Sequence, residues 1–422
     1  MKFIDFDTHY FPENCYTRLP EPFRSLAPQY NWKYYAEKPD WWDRIFNAST
    51  KRDEAGVTDK FYQWEAYCDK GFLCDDNGYH DIDTYPGSVS RYLSSVKHGL
   101  EKKLCFDKIH GGPFRGDLRY SELGARDLGE RKKIYNQLGI DKGIILPYNF
   151  MLGLNYRINY ELAVALATAY NNRVQEDCLN QNTFWPVVWL PAQNPNIKEN
   201  LDMIEQGLSN NAVGIQLGEN FSYSSHCLGQ AWGTCSWMEP IWAHANEHQY
   251  PIFIHVNDCW YDNHKNLNNV DQITLSKWQE THKNLLPLLS SLSRRDLSFA
   301  SFITEGVLDR YPNLKLNWGE QGIDWVMPLI ERLSHMLKHD CRLYLKNWTF
   351  CVEPEWPNFQ QDAKKIGYDH LVFCTDYPHH DPSGRGQDTD VNLILAMDTD
   401  EINKEKIANL NATKFLSNTN FF

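Results

Sequence analysis

Short runs of apolar, mostly branched residues alternate with amphipathic stretches along most of the chain. The runs are "KFIDFD" (2–7), "GIILPY" (143–148), "PVVWLPA" (186–192), "AVGIQLG" (212–218), "PIFIHV" (251–256), "LKLNWG" (314–319), "WTFCV" (348–352) and "HLVFCTD" (370–376). Their lengths and composition read as buried strands. Between them, "ERKKIYNQLGI", "INYELAVALATAYNNRV", "NIKENLDMIEQGL", "WMEPIWAHANEH", "DWVMPLIERLSHML" and "FQQDAKKIG" carry apolar residues at helical spacing, and "EINKEKIANLNATKFL" supplies a last helix. Strand followed by helix implies parallel strands with crossovers, and eight such units are the number that closes a (β/α)8 TIM barrel. An open doubly wound sheet is the runner-up, but it calls for a Gly-rich turn after an early strand. No G-x-G-x-x-G follows "FIDFD", and "HGGPFRG" (110–116) follows a charged segment.

One stretch breaks the alternation. Residues 12–125 form a long insertion between the first strand and its helix, rich in aromatics as in "YNWKYYAEKPDWWDRIF" (30–46). Such a segment is too apolar for a linker and is expected to be ordered. The reading is therefore a single domain over 1–422, with 12–125 as a lid over the barrel mouth, where strand ends gather the chemistry. The chain holds 15 Trp, 23 Tyr and 21 Phe. Trp42, with Tyr34, Trp41 and Trp64, either lines a pocket for a planar ligand or builds the core of the lid.

A net charge of -13 argues against a nucleic-acid or anionic-membrane partner and leaves a small molecule as the expected one. No apolar run is long enough to span a bilayer and no signal-peptide core is evident, so a cytoplasmic location is expected. The 11 cysteines contain no Cys-x-x-Cys and read as reduced, buried small hydrophobes.

The ends of the runs carry the chemistry. The first closes on Asp7 and His9, the fifth on His255, the sixth on Glu320 and the eighth on Asp376. In an extended strand, residues two apart face the same way, so Asp5, Asp7 and His9 are expected to share a face. In a barrel all these ends meet at one mouth, and imidazoles with carboxylates suit one divalent ion: zinc first, manganese or iron as alternatives. Singly, each has a plainer reading: a hydrogen-bonded rim histidine, an aspartate cap, a structural carboxylate.

"FDTHYFP", "PIFIHV", "YPNLKLNWGEQGIDWVMPLIERL" and "VFCTDYPHHD" together resemble the amidohydrolase superfamily, in the branch of aminocarboxymuconate semialdehyde decarboxylase and the hydroxybenzoate decarboxylases. The resemblance implies a barrel with Asp7, His9, His255 and Asp376 as metal ligands and Asp376 as proton carrier; Asp5, one pair further back, then sits deeper, as a partner behind the ligands or a buried acid. It also implies a homodimer, the common state of this branch. Many of these decarboxylases have a histidine where this chain has Glu320. An ionised Glu320 repels a substrate carboxylate but can accept a proton, so hydrolysis of a lactone, amide or C–C bond of a small aromatic or conjugated substrate ranks first. Asp376 and Glu320 are the expected catalytic pair. Non-oxidative decarboxylation of an aromatic or dienoic acid is the alternative; a ring-closing or non-catalytic barrel is the third reading. His379 and Arg115 are the expected substrate contacts, with Arg119 and His110 as further candidates and Glu353 at the rim.

Overall fold

The computed structural model of the chain describes residues 1–10, 12, 18, 20, 124, 127–147, 160–179, 181–192, 194–218, 231–255, 286–356, 358–377, 387–419 and 421. All but four residues of the expected 12–125 insertion, Trp42 and Arg115 among them, lie outside this set, as do His110, Arg119, His379 and His380.

Every expected strand is present. In chain order they are β1 (Phe3–His9), β2 (Ile140–Leu146), β3 (Phe184–Pro186), β4 (Val188–Trp189), β5 (Ile215–Gly218), β6 (Pro251–His255), β7 (Lys315–Gly319), β8 (Trp348–Val352) and β9 (Leu371–Phe373). Neighbours pair in parallel, in the orders β1-β2-β3 and β4-β5-β6-β7-β8-β9. The third run is thus cut in two, because the chain changes partner there. The Val187 N–H donates to the Ile145 carbonyl, 3.0 Å, and the Val188 N–H to the Gly214 carbonyl, 2.9 Å. Pro186 has no N–H to continue a ladder. At the far end the order of the two sheets is bridged by the residues that follow β9. The Asp376 N–H donates to the Asp7 carbonyl, 3.0 Å, and the His9 N–H to the Tyr377 carbonyl, 2.6 Å.

The crossovers are helical. They are α1 (Leu128–Leu138), α2 (Tyr160–Cys178), α3 (Ile197–Ser209), α4 (Glu239–His248), α5 (Leu286–Thr304), α6 (Val307–Arg310), α7 (Val326–Leu337), α8 (Phe359–Ile366), α9 (Gln387–Leu395), α10 (Glu401–Glu405) and α11 (Asn411–Phe415). Local chemistry sets several boundaries. The Asp127 carboxylate accepts from the Glu130 N–H at the start of α1, and Gly139 at φ 75° ends it. The expected last helix is broken into α10, one π turn (Lys406–Leu410) and α11. Helices α5, α6 and α9 were not marked by the apolar pattern. In α5, serines at 290, 291, 293, 298 and 301 dilute the stripe and disfavour a helix interior. Packing compensates: the Phe299 ring lies 4.6 Å from that of Trp348, and the Trp242 ring 5.3 Å from that of Phe302.

Two cores result. The larger lies between strands and helices. The smaller gathers Ile4, Phe6, Ile144, Leu146, Val187, Val213, Phe253, Cys351, Val372 and Cys374 from one face of the strands, and Ala412, Leu416 and Phe421 pack on it. Cys178, Cys341, Cys351 and Cys374 are buried thiols. No helix among the described residues is long and apolar enough to cross a membrane.

Candidate metal centre

The end of β1 does not keep strict alternation. Asp5 pairs with Gly143 and Thr8 with Ile145, so β1 advances three residues while β2 advances two. This bulge separates Asp5 from the other two polar residues, correcting the expectation of one shared face. Asp5 is a buried acid bound by the Thr375 N–H (2.9 Å), the Thr375 hydroxyl (2.5 Å) and the Tyr135 hydroxyl (2.5 Å). Burial pushes its carboxyl up to about 7, against the pull of those donors.

Asp7 and His9 point elsewhere. His9 Nδ1 lies 3.2 Å from the Pro147 carbonyl, which can only accept; Nδ1 therefore carries a proton, and Nε2 is the ring nitrogen turned toward the carboxylates. That Nε2 stands 3.1 Å from Oδ1 of Asp376 and 3.6 Å from Oδ1 of Asp7. Nε2 of His255, at the end of β6, lies 3.2 Å from Oδ2 of Asp7 and 3.3 Å from Oε1 of Glu320. The two imidazoles meet nearly edge to face, centroids 4.9 Å apart.

Strand ends with unusual backbone deliver the two outer carboxylates. Glu320 (φ 57°), Gln321 (φ 68°) and Asp376 (φ 49°) are left-handed without being glycine. The other such residues among those described, Asn211, Gln249 and Lys338, stand where helices end, where this conformation is ordinary. Those at the strand ends cost about 1–3 kcal/mol each and are held by their surroundings, which is typical of functional positions.

Asp7, His9, His255 and Asp376 each offer one ligand atom, and these atoms lie within 4.8 Å of one another. Three of the four residues are buried and Asp376 is partly exposed. The donor set fits a divalent ion. Ligand atoms about 2.1 Å from one centre lie roughly 3.4 Å apart in a tetrahedron. Both carboxylate oxygens of Asp7 are buried and accept no well-directed hydrogen bond, although a buried carboxylate needs donors or a cation. Gly319 is packed directly against the donors: a methyl group there would come within 2.6 Å of Asp7 Oδ2 and 2.9 Å of His255 Cδ2. Burial alone would lower the affinity of His255 for a proton, yet Asp7 and Glu320 together raise it well above the ordinary value. The pocket thus demands positive charge.

Sequence comparison agrees with this geometry. A family model described as Amidohydrolase matches residues 152–417, more than half of the chain. The chain belongs to the amidohydrolase family. It is accordingly an enzyme, and the family resemblance read from its motifs holds. No curated protein matches it in sequence. Among solved structures it is similar to an amidohydrolase from Mycobacterium avium subsp. paratuberculosis (TM-score 0.57, 20% identity, 70% of this chain and 74% of that one). It is also similar to a 2,6-dihydroxybenzoate decarboxylase from Rhizobium (TM-score 0.55, 17% identity, 69% and 89%). A 5-carboxyvanillate decarboxylase from Novosphingobium aromaticivorans with bound manganese matches over 98% of this chain and 97% of its own (TM-score 0.57, 16% identity). Family members of this kind share the barrel fold, and the parallel α/β arrangement described above is consistent with it.

Of the residues singled out by sequence, Asp7, His9, His255, Glu320 and Asp376 converge. Glu353 follows β8 and is half-buried, outside the four-residue donor group. Gly319 escaped the sequence reading, although "LNWGE" placed it beside Glu320.

Proposed function

We propose that the protein is a metal-dependent hydrolase acting on a lactone, an amide or a C–C bond beside a carbonyl in a small aromatic or conjugated substrate. In this reading one domain over 1–422 forms a closed (β/α)8 barrel, with 12–125 as its lid. The bonds between residues 7–9 and 376–377, and the inner apolar cluster, support closure. Asp7, His9, His255 and Asp376 hold the ion, zinc in the first instance and manganese in the second.

One observation carries the reaction type: the Glu320 carboxylate, 3.3 Å from His255 Nε2, adds a third acid beside the donor cluster. An anionic pocket edge disfavours a substrate carboxylate and favours a proton acceptor. A bound divalent ion supplies Lewis acidity, polarising a carbonyl and bringing the pKa of water toward about 7. Asp376, whose side chain is 28% exposed, is the reachable donor; it takes the proton of the attacking water and returns it to the leaving group. Glu320 holds the second proton position and keeps His255 oriented.

Decarboxylation is the second reading, favoured by the near full-length match to 5-carboxyvanillate decarboxylase. It requires a cation against the substrate carboxylate, for which Arg115 and His379 are the candidates, and Asp376 then protonates the ring carbon.

The test is a panel of lactones, anilides, β-diketones and hydroxybenzoates offered to zinc- and manganese-loaded protein. Acid or amine products without carbon dioxide support hydrolysis; carbon dioxide with solvent deuterium in the ring product supports the second reading. With a hydrolysed substrate in hand, Glu320→Gln should lower kcat roughly 10²–10⁴-fold. Unchanged kcat would remove Glu320 from the mechanism.

A further inference from the structure

Helix α1 sends a charged residue into the core: Arg131 is fully buried. A buried guanidinium is costly unless its donors are satisfied. Among the described residues no carboxylate pairs with it. Its Nε donates to the Gly124 carbonyl, 2.7 Å, its Nη1 to the Thr8 hydroxyl, 3.0 Å, and its Nη2 to the His9 carbonyl. The guanidinium plane is capped by the Tyr377 ring, 4.6 Å from the guanidinium carbon to the ring centroid.

Apart from the Gly124 carbonyl, which lies just ahead of α1, these contacts fall on two segments. Thr8 and His9 belong to the end of β1; Tyr377 follows Asp376. Because Arg131 can only donate, the Thr8 hydroxyl must accept from it and give its own proton onward, to the Tyr377 carbonyl at 3.1 Å. That carbonyl also accepts the His9 N–H, 2.6 Å. One guanidinium therefore reaches His9 directly and Tyr377 through both a hydrogen bond relay and its ring. Asp7 and His9 flank Thr8, and Asp376 precedes Tyr377. A lysine has neither the fork nor the flat face needed to make these contacts together.

We propose that Arg131 is a positioning residue for the metal centre, clamping the segments that carry Asp7, His9 and Asp376 at the spacing a single ion requires. This rests on the reading of those residues as metal ligands. Partners behind metal ligands commonly change affinity by about 10–100-fold when removed. A role confined to tying α1 to the sheet would lower stability and leave the affinity of the folded protein alone.

The experiment compares wild type, Arg131→Lys and Thr8→Val. Zn²⁺ affinity is measured at 25 °C by competition with a chromophoric chelator, the visible spectrum is recorded with Co²⁺, and the Tm of each metal-free form is taken. Thr8→Val cuts the relay while leaving every charge in place, so it serves even if Arg131→Lys does not fold. Zn²⁺ binding weakened roughly 10–100-fold in the folded variants, with an altered Co²⁺ spectrum, is the expected result. Affinity within about twofold of wild type and an unchanged spectrum, whatever the Tm, would overturn it. Failure of the wild type to take up one equivalent would sink the ligand reading itself, and is distinguishable because it precedes any substitution.

Discussion

A methyl group at residue 319 has nowhere to go: it would lie 2.6 Å from Asp7 Oδ2 and 2.9 Å from His255 Cδ2. Those atoms cannot both keep their places, and both belong to the donor group. Gly319→Ala is therefore expected to weaken zinc or manganese binding by at least about 100-fold, near the upper end of what outer partners of metal sites do. The metal-to-protein ratio after dialysis checks this, and a ratio equal to that of wild type would refute it. Legibility in the sequence differed residue by residue for a physical reason. Asp7, His9, His255 and Asp376 each close an apolar run, so their positions could be read from local pattern. Gly319 has its effect through an absent side chain, which leaves no pattern. Asp5 is the buried acid that its deeper position implied, but its face was misread because alternation assumes an unbroken register, and the bulge between Asp5 and Thr8 breaks it.

Elements were more legible than their joints. Runs such as "PIFIHV" and helices such as α3 follow from periodicity and caps. The split at Val187 and the π turn after α10 depend on which neighbour the backbone bonds, and nothing local encodes that. The junction of α4 and α6 offers a test at this scale. Glu239, in the first turn of α4, has Oε1 2.5 Å from Arg310 Nη2 and accepts from the Tyr311 hydroxyl at 2.6 Å. Burial tends to raise its carboxyl, but these two donors outweigh it and hold the group below its ordinary range. A depressed carboxylate contributes stability above its unfolded value, about 4.3, and that contribution is lost as pH falls through the folded value. Both partners are partly exposed, so the contribution at neutral pH is at most about 1 kcal/mol. Glu239→Gln should lower the denaturation midpoint slightly at pH 7, and the difference should shrink as acid protonates the wild-type carboxylate. A difference that stays constant as pH falls would mean that the charge plays no part.

At the scale of the molecule, the donors are far apart in sequence: residues 7 and 9, then 255, then 376. The alternation of strand and helix made the fold class readable, but the bonds that join the first strand to the segment after the last one are non-local and became visible only in the fold. The C-terminal segment is tied to β9 and β7, with Asn411 Nδ2 donating to the carbonyls of Tyr368 and Leu371, 2.7 Å each, and Lys315 Nζ to that of Phe415, 2.8 Å. An ion held by all four donors would link the two ends of the chain to its middle, and would bind the folded state alone. Its stabilisation then follows mass action, about 4 kcal/mol when free metal stands 1,000-fold above Kd. Chelation should lower Tm by several degrees, and one equivalent of metal should restore it. Asp376→Asn should bind metal less tightly and show a smaller shift. An identical Tm with and without chelator, in protein shown to carry one equivalent beforehand, would mean that the ion does not bridge these strands.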